Sequence, residues 1–199
     1  MAREHRTLTD WVKLRTGFIV GPLASLLSRT GIHPNLLSIA GALLALFAGI
    51  AVAADHLVAG AWLFLVSGPF DALDGAVART SGRVSPFGAF LDSCLDRYSE
   101  AALLCGLLYW SVVRSCHGLV LLCFVTMFGS LMVSYTRARA EGLGMACKTG
   151  WFTRMERFVV ITIMLFTRQF LAGLVVLALM TNMTACQRMV HVYKMSRQG

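Results

Sequence analysis

The segment DALDGAVARTSGRVSPFGAFLDSCLD, running from Asp71 to Asp96, sets four aspartates into an otherwise strongly apolar chain. On helices rising about 1.5 Å per residue, Asp71 and Asp74 at i, i+3 and Asp92 and Asp96 at i, i+4 form two same-face pairs. Two helix ends can therefore aim four carboxylates at one point. Hard oxygen donors in that number suit magnesium or manganese. An aspartate at the centre of a spanning helix costs about 2.5 to 3.5 kcal/mol on the insertion scale, and four left alone would cost on the order of 10 to 14 kcal/mol. Two divalent cations cancel the formal charge of four carboxylates, and a water-filled cavity lowers the cost further. Ordinary loop acids near an interface are the plainer reading, but they would not need Gly75 and Gly88 at helix-compatible positions beside them.

Gly75, directly after Asp74, lets a ligand approach the helix backbone, and Gly88 lets two helices approach each other. Either a nucleotide floor or ordinary helix packing uses such positions. Arg79, one turn beyond Gly75, can meet a phosphate through charge-assisted hydrogen bonds or can snorkel to the interface.

The elements that must hold these groups are helices in a bilayer. The 199 residues are 57% hydrophobic and 14% charged, too greasy for a soluble domain of that size. Apolar segments run over 36–54, 57–73, 87–112, 118–136, 151–167 and 169–187, which predicts an all-α integral membrane protein. At roughly 20 residues per span, about six spans use up the length. The expected organisation is a juxtamembrane segment over 1–30 and a six-helix bundle over 31–199, forming one domain. The start shows no cleaved signal pattern, and Leu8, Trp11, Val12, Leu14 and Phe18 suggest an amphipathic helix on the membrane surface.

With both termini on one side, all but Arg114 and Arg168 of the 18 Lys and Arg residues fall on that side, which the positive-inside rule makes cytoplasmic. The break containing Ala78, Arg79, Thr80, Ser81, Gly82 and Arg83 puts the aspartates on the same side. A net charge of +8 suits an anionic leaflet and phosphorylated substrates, and nothing calls for nucleic acid. The six cysteines form no CxxC pair and read as packing residues.

Downstream, Arg137 and Arg139 in SYTRARAEGLG, Arg154 and Arg157 in GWFTRMERF, and Arg188 in TACQRMVHVYK gather on the inner face from three segments. Positive-inside topology explains their side. Their density at helix ends implies an anionic, phosphorylated acceptor gripped by forked guanidinium contacts.

Asp71-x2-Asp74-Gly75-x2-Ala78-Arg79-x8-Gly88-x3-Asp92-x3-Asp96 resembles the signature of the CDP-alcohol phosphotransferases, integral membrane enzymes of phospholipid synthesis. The resemblance implies six transmembrane helices, a surface N-terminal helix, a homodimer and a dinuclear site of Mg2+ or Mn2+. It implies that Asp71, Asp74 and Asp92 chiefly hold metal, while Asp96 also acts as general base. It further implies that Gly75, Arg79 and Ser85 contact the cytidine diphosphate part of the donor, Ser85 standing where relatives often carry threonine. His33-Pro34-Asn35-Leu36-Leu37-Ser38 is similar to the start of the family's first span.

Tyr135-Thr136-Arg137-Ala138-Arg139-Ala140-Glu141-Gly142, the Gln187-Arg188 pair and Met155-Glu156-Arg157 resemble the branch that makes phosphatidylinositol phosphate from CDP-diacylglycerol and inositol phosphate. Carried over by position, Arg137, Arg139, Arg154 and Arg188 would hold the acceptor phosphate. Thr153 departs from that branch, where an acidic residue is expected. Arg157 is expected to pair with Glu156 or another helix, and Glu141 with a neighbouring arginine. Glycerol 3-phosphate is the alternative acceptor. An ion-coupled transporter also uses buried carboxylates, but spreads them along a route, whereas these crowd two helix ends.

Overall fold

The computed structural model describes residues 8–147 and 149–197, and no side chain of 8–17 or of residue 19. Among the described residues there are seven helices and no strand: α1 (Leu8–Arg29), α2 (Pro34–Ala53), α3 (Leu57–Thr80), α4 (Pro86–Val113), α5 (His117–Gly142), α6 (Arg154–Thr167) and α7 (Phe170–Ser196). The stripe expected from Leu8, Trp11, Val12 and Leu14 lies outside the described side chains. Of what is described in α1, Phe18 is exposed, whereas Ala24 is fully buried against Leu37, Leu73 and Val77, so the second half of α1 is packed onto α2 and α3.

Local chemistry fixes the helix starts. Pro34 and Pro86 sit in the first turns of α2 and α4, where a missing N–H costs nothing. His33 caps α2 by accepting from the Asn35 N–H at 3.2 Å, and Ser85 caps α4 by accepting from the Gly88 N–H at 3.0 Å. Thr153 and Glu156 form a capping box at α6. The threonine that departs from the expected acidic residue is thus used as a cap.

Several boundaries differ from the sequence reading, α5 running on to Gly142 and α7 to Ser196. Helix α3 continues through Pro69 to Thr80, so Ala78 and Arg79 are helical and the break is confined to 81–85. Helix α6 has 14 residues, about 21 Å long, and begins after a link that is irregular over 143–147 and 149–153. Four helices, α2, α3, α5 and α7, are long and apolar enough to cross a membrane. Helix α4 is also long, at 28 residues, but carries Asp92, Asp96, Arg97 and Glu100.

Helix α2 packs between α3 and α4, α5 packs on α7 and α4, and α6 leans on α3 and α7. The main core draws Val52, Phe64, Leu103, Leu107, Ile161 and Leu174 from five helices. Helices α2 and α4 meet backbone to backbone: a Cβ at Gly106 would collide with the Gly49 carbonyl and Cα, and one at Gly49 with the Ala102 carbonyl. Large apolar side chains such as Phe47, Trp62, Phe124, Phe128 and Leu179 point outward, as a bilayer requires.

The two ends of the bundle turn differently. At one end, the links over 30–33, 81–85 and 143–153 use Gly31, Gly82, Gly144 and Gly150 at positive φ. At the other, the links over 54–56, 114–116 and 168–169 place Asp55, Ser115 and Arg168 at φ 67°, 56° and 59°. Trp110 Nε1 donates to Asp55 Oδ1 at 2.7 Å, Arg114 Nη2 to Asp55 Oδ2 at 2.6 Å, and the Arg114 guanidinium lies 4.6 Å over the Trp110 ring. Leu57, Trp110, Arg168 and Phe170 line one hollow there, so the three links meet.

Candidate active site

The site lies at the glycine-turn end, where the second half of α3 faces the first half of α4. The Asp71, Asp74 and Asp92 carboxylates each bring an oxygen within 4.8 Å of the other two. Asp96 stands one turn further along α4 and is joined to Asp71 through the Arg154 guanidinium, which contacts both carboxylates. All four aspartates therefore come together, with Asp71 as the hub and Asp96 at the edge. Three anionic oxygens drawn from two helices at that separation match the hard-donor set of a divalent cation.

Two neighbours tune this set. Ser38 Oγ on α2 donates to Asp74 Oδ2 at 2.5 Å, orienting a carboxylate that is only 6% exposed. Arg154, the first residue of α6, reaches between the helices: its Nη1 lies 2.5 Å from Asp71 Oδ1 and its Nη2 2.6 Å from Asp96 Oδ1. The sequence reading placed Arg154 among acceptor-phosphate residues. The structure forks its guanidinium across two of the carboxylates, with α6 packed against α3. Ser38, Asp71, Asp92, Asp96, Arg154 and Phe158 line a cleft between α2, α3, α4 and α6.

A second ionic rung lies one turn deeper. Arg157 donates from Nε to Glu100 Oε1 at 2.8 Å and from Nη2 to Glu100 Oε2 at 3.1 Å, and its side chain is 5% exposed against 13% for Glu100. Arg157 thus pairs with another helix, as one of the two expected options had it, and Glu156 is taken by its capping box. Glu100 was missed from sequence, although Asp92, Asp96 and Glu100 continue one i, i+4 stripe.

Gly75 and Arg79 form one feature. A Cβ at Gly75 would come within 3.3 Å of Arg79 Nη1, so the arginine folds back over bare helix backbone. Ser85 stands across the 81–85 turn, and a Cβ at Gly88 would press on Ser85 Oγ at 3.1 Å and Asn35 Oδ1 at 3.3 Å.

The remaining arginines are placed unevenly. Arg137 pairs with Glu141 at 2.8 Å on the exposed end of α5, and Arg139 is exposed there as well. Arg188 is buried: its Nε donates to the Thr149 carbonyl at 2.9 Å and its Nη1 to the Val133 carbonyl, tying α7 to α5 and to the 143–153 link. The carboxylates and the arginines thus share one end of the bundle, with Arg154 between them.

A family model described as CDP-alcohol phosphatidyltransferase matches residues 31–187. An archaetidylinositol phosphate synthase from Methanothermobacter thermautotrophicus is 36% identical over 181 residues, covering 88% of this chain and 89% of the relative. A crystal structure of Mycobacterium tuberculosis phosphatidylinositol phosphate synthase with CDP-DAG bound is similar at TM-score 0.82 and 31% identity, covering 88% of this chain and 94% of that one. The same enzyme in complex with manganese and citrate is similar at TM-score 0.81, covering 87% and 88%.

Proposed function

The chain belongs to the CDP-alcohol phosphatidyltransferase family, and from that premise we propose that it moves the phosphatidyl group of CDP-diacylglycerol onto a hydroxyl of inositol phosphate. The products are phosphatidylinositol phosphate and CMP. The observation that carries the chemistry is the convergence of Asp71, Asp74 and Asp92 within 4.8 Å beside Asp96. The acceptor is supported by the inositol phosphate common to the names of the archaeal and mycobacterial relatives. It is supported also by the arginines at the same end of the bundle.

The carboxylates of Asp71, Asp74, Asp92 and Asp96 would hold two Mg2+ or Mn2+ ions, which when bound neutralise the donor's diphosphate and the charge on the attacking and leaving oxygens. Ser38 keeps Asp74 oriented for that task. Gly75, with its open backbone, and Arg79 and Ser85 on either side of the 81–85 turn form the cradle for the cytidine diphosphate. Arg137, Arg139, Arg154 and Arg188 hold the acceptor phosphate. Asp96 takes the proton of the attacking hydroxyl. That oxygen bonds to the phosphorus bearing the lipid, the bond to the bridging oxygen breaks, and CMP leaves with it.

The protein works in a membrane, as six helices α2 to α7 with α1 beside them, as a homodimer, and with both termini and the site on the cytoplasmic side. The basic bias of the glycine-turn end supports this orientation. The test is CMP release by the purified chain from CDP-diacylglycerol with each acceptor. Release with inositol phosphate supports the proposal. Release with glycerol 3-phosphate but not inositol phosphate overturns the acceptor.

A further inference from the structure

We infer that Arg154 is a counter-ion of the aspartate carboxylates as well as an anchor for the acceptor, so that metal on those carboxylates frees it to bind the acceptor. This rests on the function proposed above, since it takes both the metal-holding and the phosphate-holding roles from it. The guanidinium bridges Asp71 and Asp96, which belong to the set that must turn to a cation. Arg154 and divalent metal therefore compete for the same carboxylates.

The charge balance gives the direction. Four ionised aspartates carry four negative charges and Arg154 returns one, so the group keeps a net negative charge while the arginine is docked. Two divalent cations supply four positive charges, after which the guanidinium faces a neutral cluster with no attraction to stay. A phosphate dianion in the cleft is then its strongest available partner. The same displacement uncovers Asp96 Oδ1, the carboxylate assigned to take the hydroxyl proton.

The movement is confined to one side chain. Arg157, one turn along α6, is clamped to Glu100 by a buried two-pronged contact, which fixes α6 against α4. The Arg154 backbone stays put while its flexible stem pivots between the carboxylates and the side facing the other arginines. An acceptor arriving before metal finds its arginine occupied, and a metal arriving first releases it. By linkage, anything that draws Arg154 away must tighten metal binding by the same factor.

The test uses the full chain in lipid nanodiscs with Mn2+ as the probe and no substrate. Phenylglyoxal is applied with and without saturating Mn2+, and adducts are mapped by mass spectrometry. Arg154 is expected to react several-fold faster with Mn2+ present while Arg157 is unchanged; a rate for Arg154 that Mn2+ leaves equal or lowers overturns the inference. As a second measure, Arg154→Lys keeps the charge but cannot fork across two carboxylates, and is expected to bind Mn2+ about tenfold more tightly than the unaltered chain. Equal affinity overturns it. Neither readout needs turnover, so failure of CMP release would sink the proposed reaction and leave the competition intact, and the reverse also holds.

Discussion

Replacing Glu100 by Gln keeps its shape and removes its charge, which isolates what the Arg157–Glu100 rung contributes. Arg157 is 5% exposed and has Glu100 as its ionic partner, through contacts of 2.8, 3.2 and 3.1 Å. Stranding one member of a buried pair costs about 3 to 5 kcal/mol. Coulomb's law agrees: at an effective dielectric of about 20 and a separation of about 4 Å, the lost attraction is about 4 kcal/mol. Replacing both members, Glu100→Leu with Arg157→Met, removes the stranded charge, so the double variant should lose less than the single one. The assay is reversible unfolding in mixed micelles for Glu100→Gln and, as a double-mutant cycle, for Glu100→Leu, Arg157→Met and the pair. A Glu100→Gln variant within about 1 kcal/mol of the unaltered chain, the range of an ordinary surface change, would refute the reasoning. So would a double variant as unstable as the sum of its parts.

Asp92→Asn should abolish high-affinity Mn2+ binding, whereas Asp96→Asn, outside the close trio, should weaken it far less while lowering kcat by about 10²- to 10⁴-fold as a lost base; titration calorimetry and CMP release separate the two. Gly106→Ala drives a methyl into the Gly49 backbone and should destabilise by about 1 to 3 kcal/mol, while Gly118→Ala, with nothing within 4 Å, should be neutral or slightly stabilising in the same unfolding assay. The Asp55 carboxyl is held below its ordinary value of 3.8 by hydrogen bonds from Trp110 and then Arg114. Its folded pKa being depressed, its stabilisation is present above that ordinary value and lost as pH falls through the depressed one, so Asp55→Asn should flatten the acid limb of the stability profile.

Much of this was legible in the residues. The apolar runs located six of the helices, because each is bounded by a proline, a glycine or a charged turn. The carboxylate spacing required α3 and α4 to share a site. The end of α3 was hidden because Arg79 suits a last helical turn as well as a loop. Helix α7 runs on to Ser196 past its apolar stretch because a helix leaving the bilayer can turn polar without stopping. Partnership was the harder quantity. Nothing in GWFTRMERF says that Arg154 and Arg157 meet Asp96 and Glu100, since that depends on how α6 stands against α4. The i, i+3 spacing of the two arginines beside the i, i+4 spacing of the two acids was the available hint. Arg188 was legible as a cation but not as a buried strut, because its acceptors are backbone carbonyls, which every sequence has.

The contrast between the two sets of turns bears on how a two-tailed donor gets in. Glycine links at the site end leave the backbone a wide choice of conformations, whereas at the far end residues with side chains hold left-handed geometry against a cost of about 1 to 2 kcal/mol each. The far links are also latched together by Asp55, Trp110 and Arg114. The site end has ties of its own, Arg83 donating to the Gly31 carbonyl at 3.0 Å and Arg188 to the Thr149 carbonyl at 2.9 Å, so what is polarised along the molecule is backbone strain, which is stored at the far turns. A two-tailed donor reaching the carboxylates from the surrounding leaflet would therefore meet turns free of left-handed strain, with the strained ones kept at the opposite end of the bundle.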